Sequence, residues 1–325
     1  MTNLKLESLE LAKKNFFEME KCLFCKKEFK SERGLHSHMR VHGGKEIYYQ
    51  TFYPKTDLYD NSAIQFKNKD QYFSSFFNSD ENRKAFYKSY SNLKLKKQTA
   101  IKEISDNLKF RNCEFLPSQS FFELAPLPDI RVIKDLFNSC SQFCQNASLD
   151  PLFTKKLPKT FFSDSLDLDS MKIFIDSREQ NPFDYKNSMV NKLDFGDYTA
   201  AGDFYSKVFI ERKALGDFAS SLSSGYERFK KELDRAKQFN SYIVMVVEGS
   251  LLDVENHVNS LKKGKRPNLS YAFHNARNLL IEYATNFQIV FCKGRDRASE
   301  LAQRILFFGK EATECDLQYY LSNVD

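Results

Sequence analysis

Gly196 to Asp217 reads GDYTAAGDFYSKVFIERKALGD, and the fold is decided in this stretch. Lys207 to Lys213 has the β-branched and aromatic content of a strand. Side chains alternate along a strand, so Glu211 and Lys213 share one face while Arg212 points the other way. Asp197 stands fourteen residues before Glu211, on an earlier strand near Gly196-Asp197-Tyr198 that pairs with it as a hairpin. Two carboxylates and an ammonium then converge. That set suits metal-dependent hydrolysis of a phosphodiester: hard oxygen ligands hold Mg²⁺, which retains waters and open positions for phosphate. The metal offsets carboxylate repulsion and acidifies a bound water. Lys213 orients the attacking water or neutralises developing charge.

A Glu-Arg-Lys triplet alone is commonly a solvated face. Two additions raise its weight here. Asp217 follows Lys213 by four residues, and the apolar run Met171 to Ile175 ends in Asp176-Ser177-Arg178-Glu179, a second pair of carboxylates at a strand terminus. With these motifs intact, the sequence resembles the nuclease domain of the XPF-type family of structure-specific DNA endonucleases, a branch of the PD-(D/E)xK superfamily. The resemblance extends through Arg228-Phe229 and the strand Tyr242 to Val247, with Glu248-Gly249 after it, covering roughly residues 171–309. It implies a restriction-endonuclease-like α/β fold. It also implies Asp176, Asp197 and Glu211 as ligands of Mg²⁺ or Mn²⁺, with Glu179, Arg212 and Lys213 in support and Asp217 holding the site from the following helix. Relatives often carry Gln shortly after the Arg-Phe pair, where this chain has Lys231 and Glu232. About fifteen residues follow the matching stretch, so the tandem helix-hairpin-helix module of many relatives is not expected.

The remaining pattern fits an α/β domain with a central mixed sheet. Phe229, Leu233 and Ala236 form an apolar helical stripe beside Arg228, Lys230, Lys231 and Arg235. Tyr242 to Val247 reads as a buried strand. A helix from about Tyr271 to Ala284, a strand Phe287 to Cys292 and a helix Asp296 to Phe308 follow. The basic run Leu261 to Pro267 reads as a loop that meets solvent or phosphate.

A second signal lies near the N-terminus. Cys22, Cys25, His38 and His42 give C-x₂-C-x₁₂-H-x₃-H, with Phe29 and Leu35 as the two core residues of a ββα finger. Four protein ligands close a structural Zn²⁺ shell. His36 falls outside this pattern and is expected at the surface. The base-reading positions would be Ser31, Gly34 and Ser37, none able to make a bidentate contact to guanine or adenine. The finger is therefore read as a sequence-indifferent nucleic-acid clamp or a protein-docking module.

The boundaries follow: residues 1–44, the finger with an N-terminal extension; 45–170, a linker or small helical region; 171–310, the nuclease domain; 311–325, a short tail. In the middle, Glu46 to Asp80 shows little periodicity and reads as loop or strand. Asn82 to Leu108 reads as helix, or as two shorter helices because Lys97 interrupts its apolar stripe, and Ile130 to Cys144 reads as helix. The 325-residue chain is mildly basic at +6, as a nucleic-acid partner requires, though far from diagnostic. Two of its seven cysteines belong to the finger and the rest are scattered, which argues for a reducing interior. No run approaches a membrane span and no signal core is present. The expected protein is an intracellular endonuclease acting on branched or distorted DNA in repair, recombination or replication. It would be nuclear in a eukaryote and in the cytoplasm or nucleoid in a bacterial or viral setting, and its active form a monomer, a homodimer or a heterodimer. The alternative is a non-catalytic DNA-binding or dimerisation subunit of a nuclease complex.

Overall fold

The computed structural model describes residues 20–55, 64–69, 72, 80–125, 127–128 and 130–324. The chain divides into two units, Met1–Arg83 and Lys84–Asp325. The N-terminal extension expected at residues 1–19 lies outside the described residues, as does part of the 46–80 segment.

In the first unit, β1 (Glu20–Lys21) pairs antiparallel with β2 (Glu28–Phe29). The helix Glu32–Met39 follows, with Ser31 as its N-cap accepting from the Gly34 N–H at 3.2 Å. Ser31 is thereby committed to capping. The expectation of loop or strand from Glu46 onward is corrected in part: Lys45–Phe52 is a helix. Its Tyr48 and Tyr49 are buried, and the Tyr48 hydroxyl accepts from the Leu23 N–H at 3.1 Å. Phe24 packs edge-on against Tyr48 and Phe52. The aromatic spacing fits this helical face, which a search for alternation overlooks. His36 is half-buried, with Nε2 2.9 Å from the Tyr49 hydroxyl, so it is not the free surface histidine expected.

In the second unit β3 (Phe115–Leu116) pairs parallel with β4 (Asp150–Pro151), and the main sheet has six strands. Its strands are β5 (Ile173–Asp176), β6 (Ser188–Asn191), β7 (Tyr198–Ala200), β8 (Val208–Lys213), β9 (Tyr242–Val247) and β10 (Phe287–Phe291), in the order β10-β9-β8-β7-β5-β6. Pairing is antiparallel for β5/β7 and β7/β8 and parallel elsewhere. Five strands thus point one way, and β7 alone is reversed. The mixed α/β architecture agrees with the sequence reading.

Alternation sorts the strand residues between two cores. On one face Phe209, Ile243, Met245, Val247, Phe287, Ile289 and Phe291 pack under the helices Leu215–Ser221, Tyr226–Gln238, Leu251–Ser260 and Leu269–Glu282. On the other, Val208, Ile210, Val244, Val246 and Val290 meet Ala298, Leu301, Ala302 and Ile305 of the helix Arg295–Phe308. Helices of the middle region join the first core through Ile104, Leu108, Phe121, Ile133 and Phe143. The C-terminal helices Lys310–Thr313 and Leu317–Val324 place Ala312, Leu317 and Leu321 in the second.

The two helical stretches expected in the middle are each broken, the first into the two shorter helices that its interrupted stripe allowed. Asp80–Ser89 and Leu93–Phe110 separate where Asn92 caps the second, its side chain accepting from the Leu95 N–H at 3.0 Å. Ile130–Phe137 and Cys140–Ala147 separate where Asn138 turns left-handed at φ 62° and Ser139 caps the next helix. A capping side chain satisfies amides at a new helix start, and a left-handed residue stops the old one.

Candidate active site

Because β5 and β8 run alike while β7 opposes them, the C-terminal ends of β5 and β8 meet the start of β7. The registers Ile175↔Tyr198 and Tyr198↔Ile210 place Asp176, Asp197 and Glu211 in the next row across three neighbouring strands. The backbone bonds Asp176 N–H to Asp197 O (2.8 Å) and Asp197 N–H to Ile210 O (2.7 Å) hold that row. In open α/β sheets, ligands gather outside the carboxyl ends of strands.

Gly196 makes the approach feasible. Its φ is +58°, and a Cβ there would lie 2.8 Å from the Ile210 carbonyl oxygen. Only glycine fits both conditions.

Asp197 Oδ2 accepts from the Arg212 N–H at 2.8 Å. Burial pushes the Asp197 carboxyl up to about 8, with Glu211 adding to the rise and Lys213 opposing it. Glu211 is raised as well, by burial above all. Lys213 Nζ lies 2.5 Å from Glu211 Oε1. Burial disfavours the Lys213 charge, but Glu211 and Asp197 outweigh it and hold the ammonium protonated. Two carboxylates that both resist ionisation, with one ammonium paired to Glu211, are a set that a further cation would relieve.

Arg212 works on the opposite face, as alternation requires. Its guanidinium bonds Glu179 and Glu248, each at 3.0 Å, and Arg295 joins Glu248 from the helix Arg295–Phe308. Glu179 is thus paired with Arg212, and its charge still adds to the rise of the Asp197 and Glu211 carboxyls.

Asp176 stands in the row, but its oxygens are engaged. Oδ1 accepts from Arg178 N–H (2.8 Å) and Nε (2.6 Å), and Oδ2 accepts from Arg178 Nη2 (3.1 Å) and the Leu193 N–H (2.7 Å). A carboxylate offers about four lone-pair sites, so this one is saturated. Burial would raise its pKa, yet the Arg178 and backbone donors outweigh burial and hold it below the usual range. Asp217, in the first turn of the helix Leu215–Ser221, is exposed and makes no contact with the row among the described residues.

Three supporting residues were given no role in the sequence reading. Glu248 and Arg295 complete the ion-pair chain behind Arg212. Glu232, from the helix Tyr226–Gln238, accepts from the Gly196 N–H at 2.9 Å and so braces the turn that presents Asp197. The available signal was its place four residues after Arg228 on one helical face. A pocket of about 290 Å³ opens beside the row, lined by Arg178, Glu211, Lys213, Arg228, Glu232 and Arg235, with Ser221 and Phe229 beneath.

The profile of the ERCC4 domain matches residues 173–305. That stretch is an ERCC4 domain, the XPF-type nuclease domain to which its motifs point. In structure the chain is similar to XPF from Aeropyrum pernix, with a TM-score of 0.31 and 16% identity over 47% of this chain and 71% of that one. It is likewise similar to XPF from Aeropyrum pernix in complex with DNA, with a TM-score of 0.30 and 19% identity over 42% of this chain and 62% of that one. Likenesses this slight carry no argument, and the ERCC4 assignment rests on the profile and the motif. No curated protein matches the chain.

In the first unit, Cys22, Cys25, His38 and His42 bring one ligand atom each to within 4.8 Å of one another, the only such set of three or more among the described residues. Cys25 Sγ lies 3.1 Å, and His42 Nε2 3.2 Å, from His38 Nε2. Burial, then His42 and Lys27, lower the His38 pKa and favour the neutral, ligating imidazole. Leu35 is buried as expected, and Phe29 stacks on His38 at 4.7 Å. Among the described residues, no helix is long and apolar enough to cross a membrane.

Proposed function

We propose that this protein is a metal-dependent endonuclease that hydrolyses phosphodiester bonds in branched or distorted DNA, in repair, recombination or replication. The observation that carries this reading is the facing of Asp197 and Glu211, both resisting ionisation, beside a protonated Lys213 at the mouth of an open pocket. The donor set is all oxygen, which suits Mg²⁺ or Mn²⁺. Asp197 and Glu211 would hold the ion. Asp176, the third expected ligand, holds Arg178 in this structure. Bound there, the ion supplies charge stabilisation to the phosphate and a more acidic water.

The protein's own groups do the positioning. The Arg212 N–H fixes one Asp197 oxygen, and the Glu179–Arg212–Glu248 chain fixes Arg212. Lys213 places positive charge where the phosphate oxygens become more negative. Glu232 steadies the Gly196 turn from the side. Asp217 is assigned an outer, electrostatic part at the pocket's approach.

The preference for branched DNA and the action as a homodimer or heterodimer belong to this proposal through the ERCC4 assignment. Zn²⁺ is proposed for the Cys22/Cys25/His38/His42 set, which has the donors and closeness of a closed structural shell. The boundaries 1–44, 45–170, 171–310 and 311–325 are proposed as functional divisions, and an intracellular site of action is proposed from cysteine usage.

The test is cleavage of labelled single-stranded, duplex, flap, fork and four-way substrates with Mg²⁺ or Mn²⁺. Cutting of the branched substrates is expected, abolished in Asp197→Ala. A wild-type chain that binds these substrates but cuts none would leave the non-catalytic subunit as the function.

A further inference from the structure

The helix Tyr226–Gln238 has one face committed to the core through Phe229, Leu233 and Ala236. On the neighbouring face Arg228, Glu232 and Arg235 follow at i, i+4 and i+7, and all three line the pocket. That spacing favours ion pairs between Glu232 and either arginine, yet neither forms. Glu232 is instead turned toward the Gly196 N–H. Arg228 and Arg235 are exposed, and their side chains have no hydrogen bond or ion pair among the described residues. Two guanidiniums therefore face a concavity in which neither is paired with the Glu211 or Glu232 carboxylate that also lines it, beside the row that would hold the ion.

We propose that this pocket is a phosphate subsite in which Arg228 and Arg235 grip a nucleic-acid backbone phosphate flanking the bond to be cut, whatever the base. The planar guanidinium fork matches phosphate oxygens in pairs. The volume of about 290 Å³ lies at the lower limit of ligand pockets, roughly 300 Å³, enough for a phosphate and sugar but not a base pair. The single aromatic residue in the lining, Phe229, is buried in the core, so no ring is offered for a base to stack on. Backbone contacts of this kind position the strand without reading its sequence. The word "flanking" rests on the nuclease reading; phosphate binding itself does not.

The test uses the full chain in EDTA and fluorescence anisotropy with two labelled duplexes of unrelated sequence. Arg228→Ala and Arg235→Ala are each expected to lower the slope of log K against log salt by about 1, equally on both duplexes. The double lysine variant keeps the charges and is expected to restore the slope. Thermal melts matching wild type show that the fold is retained. An unchanged slope in the double alanine variant, an effect on one sequence only, or no duplex binding by wild type at about 50 mM salt overturns the subsite. Arginine-dependent binding without cleavage in Mn²⁺ keeps the subsite and removes the nuclease reading.

Discussion

The thiols and imidazoles of the N-terminal unit and the carboxylates of the sheet are both gatherings of metal donors, built in opposite ways. Cys22, Cys25, His38 and His42 face one another closely on a scaffold of two dipeptide strands and an eight-residue helix. So small a scaffold has little apolar burial of its own, and the proposed ion would supply what the core lacks. Asp197 and Glu211 stand on a six-stranded sheet covered on both faces, and backbone bonds fix their row in advance. In one place the proposed ion would make the fold; in the other the fold makes the site.

The largest effect expected from this contrast is on the first cluster. Removing Zn²⁺ with a chelator, or the substitution Cys22→Ala, should unfold residues 20–55, since such sites contribute about 10–16 kcal/mol of apparent free energy. Loss of exchange protection confined to that unit is the measurement, and protection retained there would make the cluster incidental. Next in size is chemistry at the sheet. Asp197→Asn and Glu211→Gln should each lower cleavage about 10³-fold or more, roughly 4 kcal/mol, with the fold intact by circular dichroism.

The third expectation concerns pH. The Asp197 carboxyl is pushed up to about 8 when folded, above its unfolded value of about 4. The folded chain then holds a proton that the unfolded chain has released, so this contribution is full below about pH 4 and lost as pH rises through about 8. Urea midpoints measured without metal should fall across that window. Mn²⁺ or Asp197→Asn should flatten the fall; an unchanged slope in both would mean the carboxylates are not in mutual conflict.

Smaller effects follow from the braces. Glu232→Ala should weaken Mn²⁺ binding about tenfold, as lost supporting contacts around metal ligands do. Glu232→Gln keeps an acceptor for the Gly196 N–H and should stay within about threefold of wild type. Calorimetric titration separates the two variants. Smallest is Asp217→Ala, expected within about threefold in cleavage rate because the side chain touches nothing in the row; a hundredfold loss would bring it into the site.

The sequence made the site's frame readable because strand alternation and motif spacing are local. Both place Glu211 and Lys213 together, send Arg212 the other way and set Asp197 opposite. What stayed hidden depends on distant partners. Nothing in Asp176-Ser177-Arg178 says that Arg178 folds back on Asp176 while Leu193 supplies a further donor. The bracing by Glu232 comes from 36 residues beyond Gly196, and a helical pattern does not name what its face will meet. Strand β6 is four residues long and exposed throughout, so it shows no alternation. For the same reason the amphipathic middle helices advertised a core without disclosing that it is shared with the sheet.

Gly196 has a consequence for how the proposed activity could be silenced. A single methyl group there would collide with the Ile210 carbonyl oxygen and displace the neighbouring Asp197, while leaving every acid, ammonium and guanidinium in the inventory. Failure could therefore arise from one added carbon on a residue with no reactive group, and a survey confined to charged positions would pass over it.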